Sequence, residues 1–160
     1  MIWGLTESTF TTVHVVLSLI GIGSGLVVMV GLLGGKEHPR WTALFLATTV
    51  ATSVTGFGFP FEHLLPSHIV GMVSLVVLAV AILARYAFHL AGAWRWVYVV
   101  GAVIGLYLNV FVLVVQGFLK VPALHALAPT QSEPPFAIAQ GIVFVIFIVL
   151  GVFAVKKVHP

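Results

Sequence analysis

The chain has 160 residues, of which 61% are hydrophobic and only 7% are charged, with a formal net charge of +3. Ordinary soluble domains carry about 25% charged residues, and a small domain lies mostly near its surface, so a soluble fold of this size would expose much of this apolar surface. The sequence contains no cysteine and no aspartate, which excludes disulfides, thiolate metal sites and chemistry by a pair of aspartates. Its few and scattered charges give no indication of a nucleic-acid partner. We therefore expect the chain to lie in a lipid bilayer.

Five stretches are long and apolar enough to cross a membrane, which requires roughly 20 mostly apolar residues each. In chain order they are residues 10–33, 41–61, 68–86, 94–118 and 136–155, within a single membrane domain that covers residues 1–160. The longest connection is the predicted outer loop, residues 119–135. Its length suits either a lid or a docking surface, and the sequence leaves both open. The fold class that we predict is an all-α, polytopic bundle of five transmembrane helices.

The basic residues predict the orientation of this bundle. With five crossings, six of the seven basic residues fall on one side of the membrane and Lys120 falls on the other. The six are Lys36, Arg40, Arg85, Arg95, Lys156 and Lys157. Short cytoplasmic loops are enriched in lysine and arginine, so this side is predicted to be the cytoplasm. The N-terminus is then outside, the C-terminus is cytoplasmic, and the protein is a multi-pass protein of the plasma or inner membrane.

This orientation places the strongly polar residues of the predicted helices in the outer half of the membrane. Besides histidines they are Ser18, Thr52, Thr55, Asn109, Gln116 and Gln140. Spacings of three and four residues put His14 and Ser18 on one stripe of the first helix, and Thr48, Thr52 and Thr55 on one stripe of the second. An unpaired polar group is costly in hydrocarbon, so we expect these stripes to face one another or a cavity. The sequence thus predicts a polar pocket that opens toward the outside.

Three of the histidines, His14, His63 and His68, are predicted at the outer end of the bundle. Neutral imidazole binds zinc, copper and haem iron, so a haem b or a transition metal is a candidate cofactor. A metal site here would use these three histidines together with Glu62. A hydrogen-bonding or proton-transfer role for the histidines is the alternative, and the spacing of the residues does not decide between them.

The first 86 residues resemble small bacterial membrane proteins of the cytochrome b561-like kind. The resemblance lies in His14 near the start of the first helix, Trp41 at the start of the second, and "PSHIVGMVSLVVLAVAILARY" on the third. It implies a haem b held between His14 and His68, electron transfer with quinone or ascorbate-like donors, and a site that faces the periplasm of a bacterial inner membrane. The second, fourth and fifth predicted helices contain no histidine, so a second haem is not implied.

The function expected from these observations is the binding of a cofactor, a metal or a small ligand in an outward-facing pocket that contains histidine, with redox activity as one version. A small accessory subunit of a larger membrane complex is the first alternative, because a polar stripe also suits a partner helix. A carrier for a small polar solute is the second, although the polar residues stop halfway across the membrane. Enzymatic activity and homo-oligomerisation stay open.

Overall fold

The structure, a computed structural model, describes residues 2–59 and 66–158. Its helices are α1 (Glu7–Leu33), α2 (Pro39–Gly56), α3 (Pro66–Ile82), α4 (Trp94–Lys120), α5 (Pro122–Leu127) and α6 (Pro134–Val158). A π-helical turn, Leu83–Ala87, continues α3. These described residues contain no β-strand beyond a single isolated bridge between Ile2 and Leu5. The prediction of an all-helical fold is confirmed.

Four helical stretches of the described chain are long and apolar enough to span a membrane. They are Glu7–Leu33, His68–Ala87, Trp94–Lys120 and Pro134–Lys157. Their outward faces carry large apolar side chains such as Val30 and Val76, which are 71% and 65% exposed. A face of this kind is suited to lipid rather than to water. The prediction of a membrane protein is therefore confirmed, although α2, which is 18 residues long and rich in threonine, is not one of the four stretches.

α1 and α2 run antiparallel and approach closely, because glycines on α1 leave room for side chains of its neighbours. A Cβ atom added to Gly25 would lie 2.7 Å from Cδ1 of Leu106 on α4 and 2.9 Å from the ring of Phe45 on α2. A Cβ added to Gly21 would lie 3.0 Å from Oγ1 of Thr49. Small residues allow such contacts between membrane helices. The three helices α1, α2 and α4 therefore meet at these two glycines.

α4 is the central helix of the bundle. It runs antiparallel to α3, where a Cβ added to Gly105 would lie 3.0 Å from Cδ2 of Leu78. It also runs antiparallel to α6, where the ring centroids of Tyr107 and Phe147 are 5.6 Å apart. The fully buried Leu106 lies on the same helix, which accordingly contributes much of the apolar core.

This arrangement gives the bundle two distinct ends. At the end that we call the cavity end, α1, α3 and α6 begin and α2 and α4 finish. The opposite end, which we call the basic end, contains Lys36, Arg40, Arg85, Arg95, Lys156 and Lys157. Lys120 lies at the cavity end. The antiparallel packing thus gathers the basic residues at one end of the molecule.

Candidate functional site

A cavity of about 620 Å³ lies between α1, α2, α3 and α4 at the cavity end of the bundle. Six of the residues singled out from the sequence line it: His14, Ser18, Thr52, His68, Asn109 and Gln116. Apolar side chains such as Val15, Leu19 and Leu108 form much of the remaining wall. Small-molecule sites have volumes of about 300–1,000 Å³ and combine mainly apolar walls with a few placed polar groups. In size and composition this cavity is of that kind.

The other residues singled out from the sequence lie in different places. Thr55 contacts His14 rather than lining the cavity wall. Gln140, on α6, donates from Nε2 to the carbonyl oxygen of Phe111 on α4 at 3.2 Å, and it is not among the described residues that line the cavity. Glu62 and His63 fall outside the described residues. Of the six candidate residues of the polar wall, four line the cavity and two, Thr55 and Gln140, do not.

The hydrogen bonds of His14 determine which of its ring nitrogens carries the proton. Nδ1 of His14 lies 2.7 Å from Oγ1 of Thr55. That hydroxyl has a single hydrogen, which it donates to the carbonyl oxygen of Ala51 at 2.7 Å. Nδ1 of His14 is therefore assigned as the donor to Thr55. The neutral ring then keeps the lone pair on Nε2, where it is available to accept a hydrogen bond or to bind a metal.

Ser18 and Asn109 join α1 to α4 across the cavity. The hydroxyl of Ser18 donates to Oδ1 of Asn109 at 3.0 Å, and Nδ2 of Asn109 faces the carbonyl oxygen of Ser18 at 3.4 Å. This pairing assigns the amide orientation, because the flipped amide would turn its oxygen toward a carbonyl oxygen. Asn109 is 7% exposed, so its polar group is buried between the helices.

Most hydroxyls of α2 are bonded to their own helix. Those of Thr48, Thr52, Ser53 and Thr55 donate to the carbonyl oxygen four residues earlier, at distances between 2.6 and 3.1 Å. This is the usual way in which threonine and serine are satisfied inside a helix. Thr49 differs from them: its Oγ1 is buried, lies in the cavity lining and has no hydrogen-bond partner among the described residues.

Two phenylalanines that follow α2 hold the two histidines of the cavity. The ring centroid of Phe59 is 5.3 Å from that of His14, in an edge-to-face arrangement. The ring centroid of Phe57 is 5.5 Å from that of His68, which is buried. Both phenylalanines line the cavity. Sequence reasoning missed them, and the signal that was available is the alternation of aromatic residues and glycine immediately after the threonines of α2.

The cavity is charged at its mouth and closed at its floor. Glu7 at the start of α1 and Lys120 at the end of α4 are the charged side chains among its described lining residues. Below the floor, the contacts of Gly25 with Phe45 and Leu106 seal the bundle. Glu7, Lys120 and Thr49 are not among the site residues predicted from the sequence, because their places in the cavity depend on how the helices are rotated.

The candidate metal site is described only in part, because Glu62 and His63 lie outside the described residues. Within residues 2–59 and 66–158, no three histidine or acidic side chains come together in a group that would hold a metal ion. The fold and the site together define an all-helical membrane protein with a polar-lined cavity near one end of its bundle. No family model, curated protein or solved structure matches this chain.

Proposed function

We propose that this protein binds a small molecule or cofactor in the cavity, with His14 as its central polar contact. The observation that carries the proposal is the hydrogen bond of His14 to Thr55, which holds the ring and leaves Nε2 as an acceptor in a cavity of ligand size. A membrane-embedded histidine is costly unless it has a partner or a function, and here one ring nitrogen is already satisfied by the protein.

We further propose that α2 is a fifth crossing, that the N-terminus is outside and that the C-terminus is cytoplasmic. α2 has 18 residues, which at about 1.5 Å per residue is close to the roughly 30 Å thickness of the hydrocarbon core. The concentration of basic residues at one end of the bundle supports the orientation. In this arrangement the cavity opens to the outer side of a plasma or inner membrane.

The chain contains no cysteine, so single introduced cysteines test this topology without background. Ser8→Cys, Ala91→Cys and Ala126→Cys all replace exposed residues. With five crossings, an impermeant maleimide labels the first and third in intact cells and labels Ala91→Cys only after permeabilisation. If α2 does not cross, Ser8 and Ala91 lie on the same side, and the labelling of these two variants is then identical.

The redox version of the proposal is a haem b between His14 and His68. The donor set supports it, because both histidines line one cavity from different helices and Nδ1 of His14 is already engaged. Haem-ligating and metal-ligating histidines usually donate their second ring N–H to a neighbouring group. Lys120 at the mouth offers a cation to a haem carboxylate. When bound, the haem would supply one-electron transfer.

The alternatives have less support from the geometry. An accessory subunit would present its polar stripe to a partner helix, but the stripes of α1 and α4 already pair through Ser18 and Asn109. A carrier needs a polar path through the molecule, and the buried side chains of Phe45 and Leu106 close the floor. These contacts favour a binding site over a passage or a docking stripe.

The proposal is tested on protein extracted with its surrounding lipid in a styrene–maleic acid copolymer. The measurements are absorption spectra of oxidised and reduced protein, metal analysis, and mass spectrometry of the small molecules that are released on unfolding. We expect one bound molecule per chain in the wild type and at least a tenfold loss in His14→Ala. His125→Ala, outside the cavity lining, is the matched control and retains the molecule.

The outcomes separate the versions of the proposal. A Soret band that is lost in His14→Ala identifies the molecule as haem. A colourless protein that releases a stoichiometric organic molecule identifies an organic ligand. A wild type without a bound molecule, or a His14→Ala variant that keeps it fully, contradicts the proposed function.

A further inference from the structure

The floor of the cavity contains a hydroxyl group that differs from its neighbours on α2. Thr49 is 2% exposed, and no described residue provides a hydrogen-bond partner for its Oγ1. The hydroxyls of Thr48, Thr52 and Ser53 each donate to a carbonyl oxygen of their own helix. A buried hydroxyl without a hydrogen-bond partner costs free energy. Thr49 therefore retains a hydrogen that it can donate to a molecule in the cavity.

The side-chain amide of Asn109 lies beside this hydroxyl. Both atoms lie close to Gly21 of α1: a Cβ atom added to that glycine would lie 3.0 Å from Oγ1 of Thr49, 3.1 Å from Nδ2 of Asn109 and 3.4 Å from Oγ1 of Thr48. Nδ2 carries two hydrogens, and its one partner within the described residues is the carbonyl oxygen of Ser18, at a long 3.4 Å. The second hydrogen of the amide is available as well. Two donors from two helices thus lie beside the same glycine, and both of their residues line the cavity.

The charges around this donor pair indicate whether it would bind a charged or an uncharged group of a ligand. Glu7 and Lys120, the charged side chains in the described lining, are at the mouth. Glu7 is fourteen residues before Gly21 on α1, which corresponds to about 21 Å along the helix. A carboxylate or ammonium group at the floor would be buried without a counter-charge, at a large cost. An uncharged oxygen acceptor has no such cost.

We propose that Thr49 and Asn109 form a two-donor site for an uncharged carbonyl oxygen of the molecule that the cavity binds. This inference rests on the organic-ligand version of the proposed function and specifies the chemical class of that ligand: a neutral, largely apolar carbonyl compound. The carbonyl oxygen has two lone pairs and accepts one hydrogen bond from each donor. The apolar part of the ligand contacts the wall above, where Leu108 and Val112 line the cavity.

The test uses benzophenone as the probe and diphenylmethane, which has the same shape but no carbonyl, as its control. The protein is held in nanodiscs of defined lipid, and saturable binding of each compound is measured. We expect the ketone to bind about tenfold more tightly than the hydrocarbon, which corresponds to about 1.4 kcal/mol for the hydrogen bonds. We also expect a lower carbonyl stretching frequency for the bound ketone than for the ketone in lipid, since hydrogen bonding weakens the C=O bond.

Three variants of α2 make the readout specific. Thr49→Val has the same shape without the hydroxyl, and it is expected to reduce both the preference for the ketone and the frequency shift. Thr49→Ser retains the hydroxyl and should retain both the preference for the ketone and the frequency shift. It therefore also controls for a general effect of changing this buried position. Thr48→Val is the matched control, because the hydroxyl of Thr48 is already bonded to the carbonyl oxygen of Leu44 and Thr48 does not line the cavity.

The results distinguish this inference from the proposed function. Saturable binding of both compounds with equal affinity and no frequency shift overturns the donor site and leaves the cavity as a ligand site. A shift that Thr49→Val leaves unchanged also overturns it, because the donor is then another group such as a trapped water. Absence of saturable binding by either compound overturns the donor site, whereas the proposed function is judged by the molecule that the native protein releases.

Discussion

His14 on α1 and Thr55 on α2 are joined by a 2.7 Å hydrogen bond between Nδ1 and Oγ1. The bond connects a candidate ligand-binding histidine to the backbone of the neighbouring helix, because the hydroxyl of Thr55 in turn donates a hydrogen bond to the carbonyl oxygen of Ala51. The protein thereby selects one neutral tautomer of the ring and orients Nε2. Groups that orient a binding histidine in this way are typically worth 10–100-fold in affinity at metal sites.

Thr55→Val should release His14 from this tautomer. The ring loses its acceptor at Nδ1, so both neutral tautomers become populated, and ligand affinity falls by about tenfold or more. Nitrogen NMR of ¹⁵N-histidine-labelled protein reads the tautomer directly. Thr12→Val is the control, because Thr12 donates only to the backbone oxygen of Ser8 at an exposed position. Unchanged His14 nitrogen shifts in Thr55→Val would show that the bond does not set the tautomer.

The Ser18–Asn109 pair predicts a measurable coupling between α1 and α4. A double-mutant cycle measures this coupling, using Ser18→Ala, Asn109→Ala and the double variant. The shared hydrogen bond makes the changes in the free energy of unfolding non-additive. Hydrogen bonds between membrane helices average about 0.6 kcal/mol and reach about 1.7 kcal/mol, and we expect a value in this range. Unfolding in mixed micelles gives the three differences in free energy. Additive effects within error would mean that the two side chains stabilise the protein independently.

Gly25→Ala should destabilise the bundle while Gly23→Ala should not. At Gly25 the added methyl group would lie 2.7 Å from Leu106 and 2.9 Å from the buried ring of Phe45. Overpacking of this kind costs about 1–3 kcal/mol. No described atom lies within 4 Å of a Cβ added to Gly23, and the higher helix propensity of alanine, about 1 kcal/mol, is gained there. The thermal unfolding midpoints of both variants test this, and similar midpoints would contradict the close helix contact.

The turn before α6 should open in acid. Oε1 of Glu133 accepts from the hydroxyl of Thr130 at 2.8 Å, and Oε2 accepts from the backbone N–H of Ser132 at 3.1 Å. The Thr130 hydrogen bond lowers the pKa of Glu133 below its ordinary value. A lowered pKa in the folded state means that this contribution to stability is fully present above the ordinary glutamate value, about 4.3. It is lost as the pH falls through the lowered pKa.

Hydrogen exchange of the Thr130 and Ser132 amides, followed together with the carboxyl carbon shift of Glu133, measures this transition. Protection corrected for the intrinsic pH dependence should fall as the carboxyl group is protonated. Glu133→Gln carries no titratable group at this position, so its corrected protection should not change over the same range. A Glu133 titration at or above the ordinary glutamate pKa would contradict the role of these hydrogen bonds.

The all-helical fold could be predicted from the sequence because the constraint is local. A run of apolar residues in lipid must satisfy its backbone hydrogen bonds within itself, and a helix achieves this without a partner. The same local rule places His14 and Ser18 on one face of α1, since they are four residues apart. The fifth predicted crossing is not confirmed: α2, which contains many threonines and Arg40, is not among the four helices that are long and apolar enough to span a membrane.

The candidate site could be predicted only in part. Depth along each predicted helix grouped His14, Asn109 and Gln116, and all three line one cavity. Gln140 has a comparable depth, but α6 lies on another side of α4, so its side chain meets the backbone of Phe111 instead. Depth is a property of one helix, whereas the direction that a side chain faces depends on the neighbours against which that helix packs.

The sequence by itself determined that the chain is a helical membrane protein, that its polar groups gather near one end and that its basic residues gather at the other. These properties follow from local composition and from helix periodicity. Only the tertiary structure decided that His14 meets Thr55, that Ser18 meets Asn109 and that Thr49 keeps a free hydroxyl hydrogen at the floor. Those pairings depend on how each helix is rotated in the bundle. Close contacts at Gly21 and Gly25 set that rotation across three helices at once.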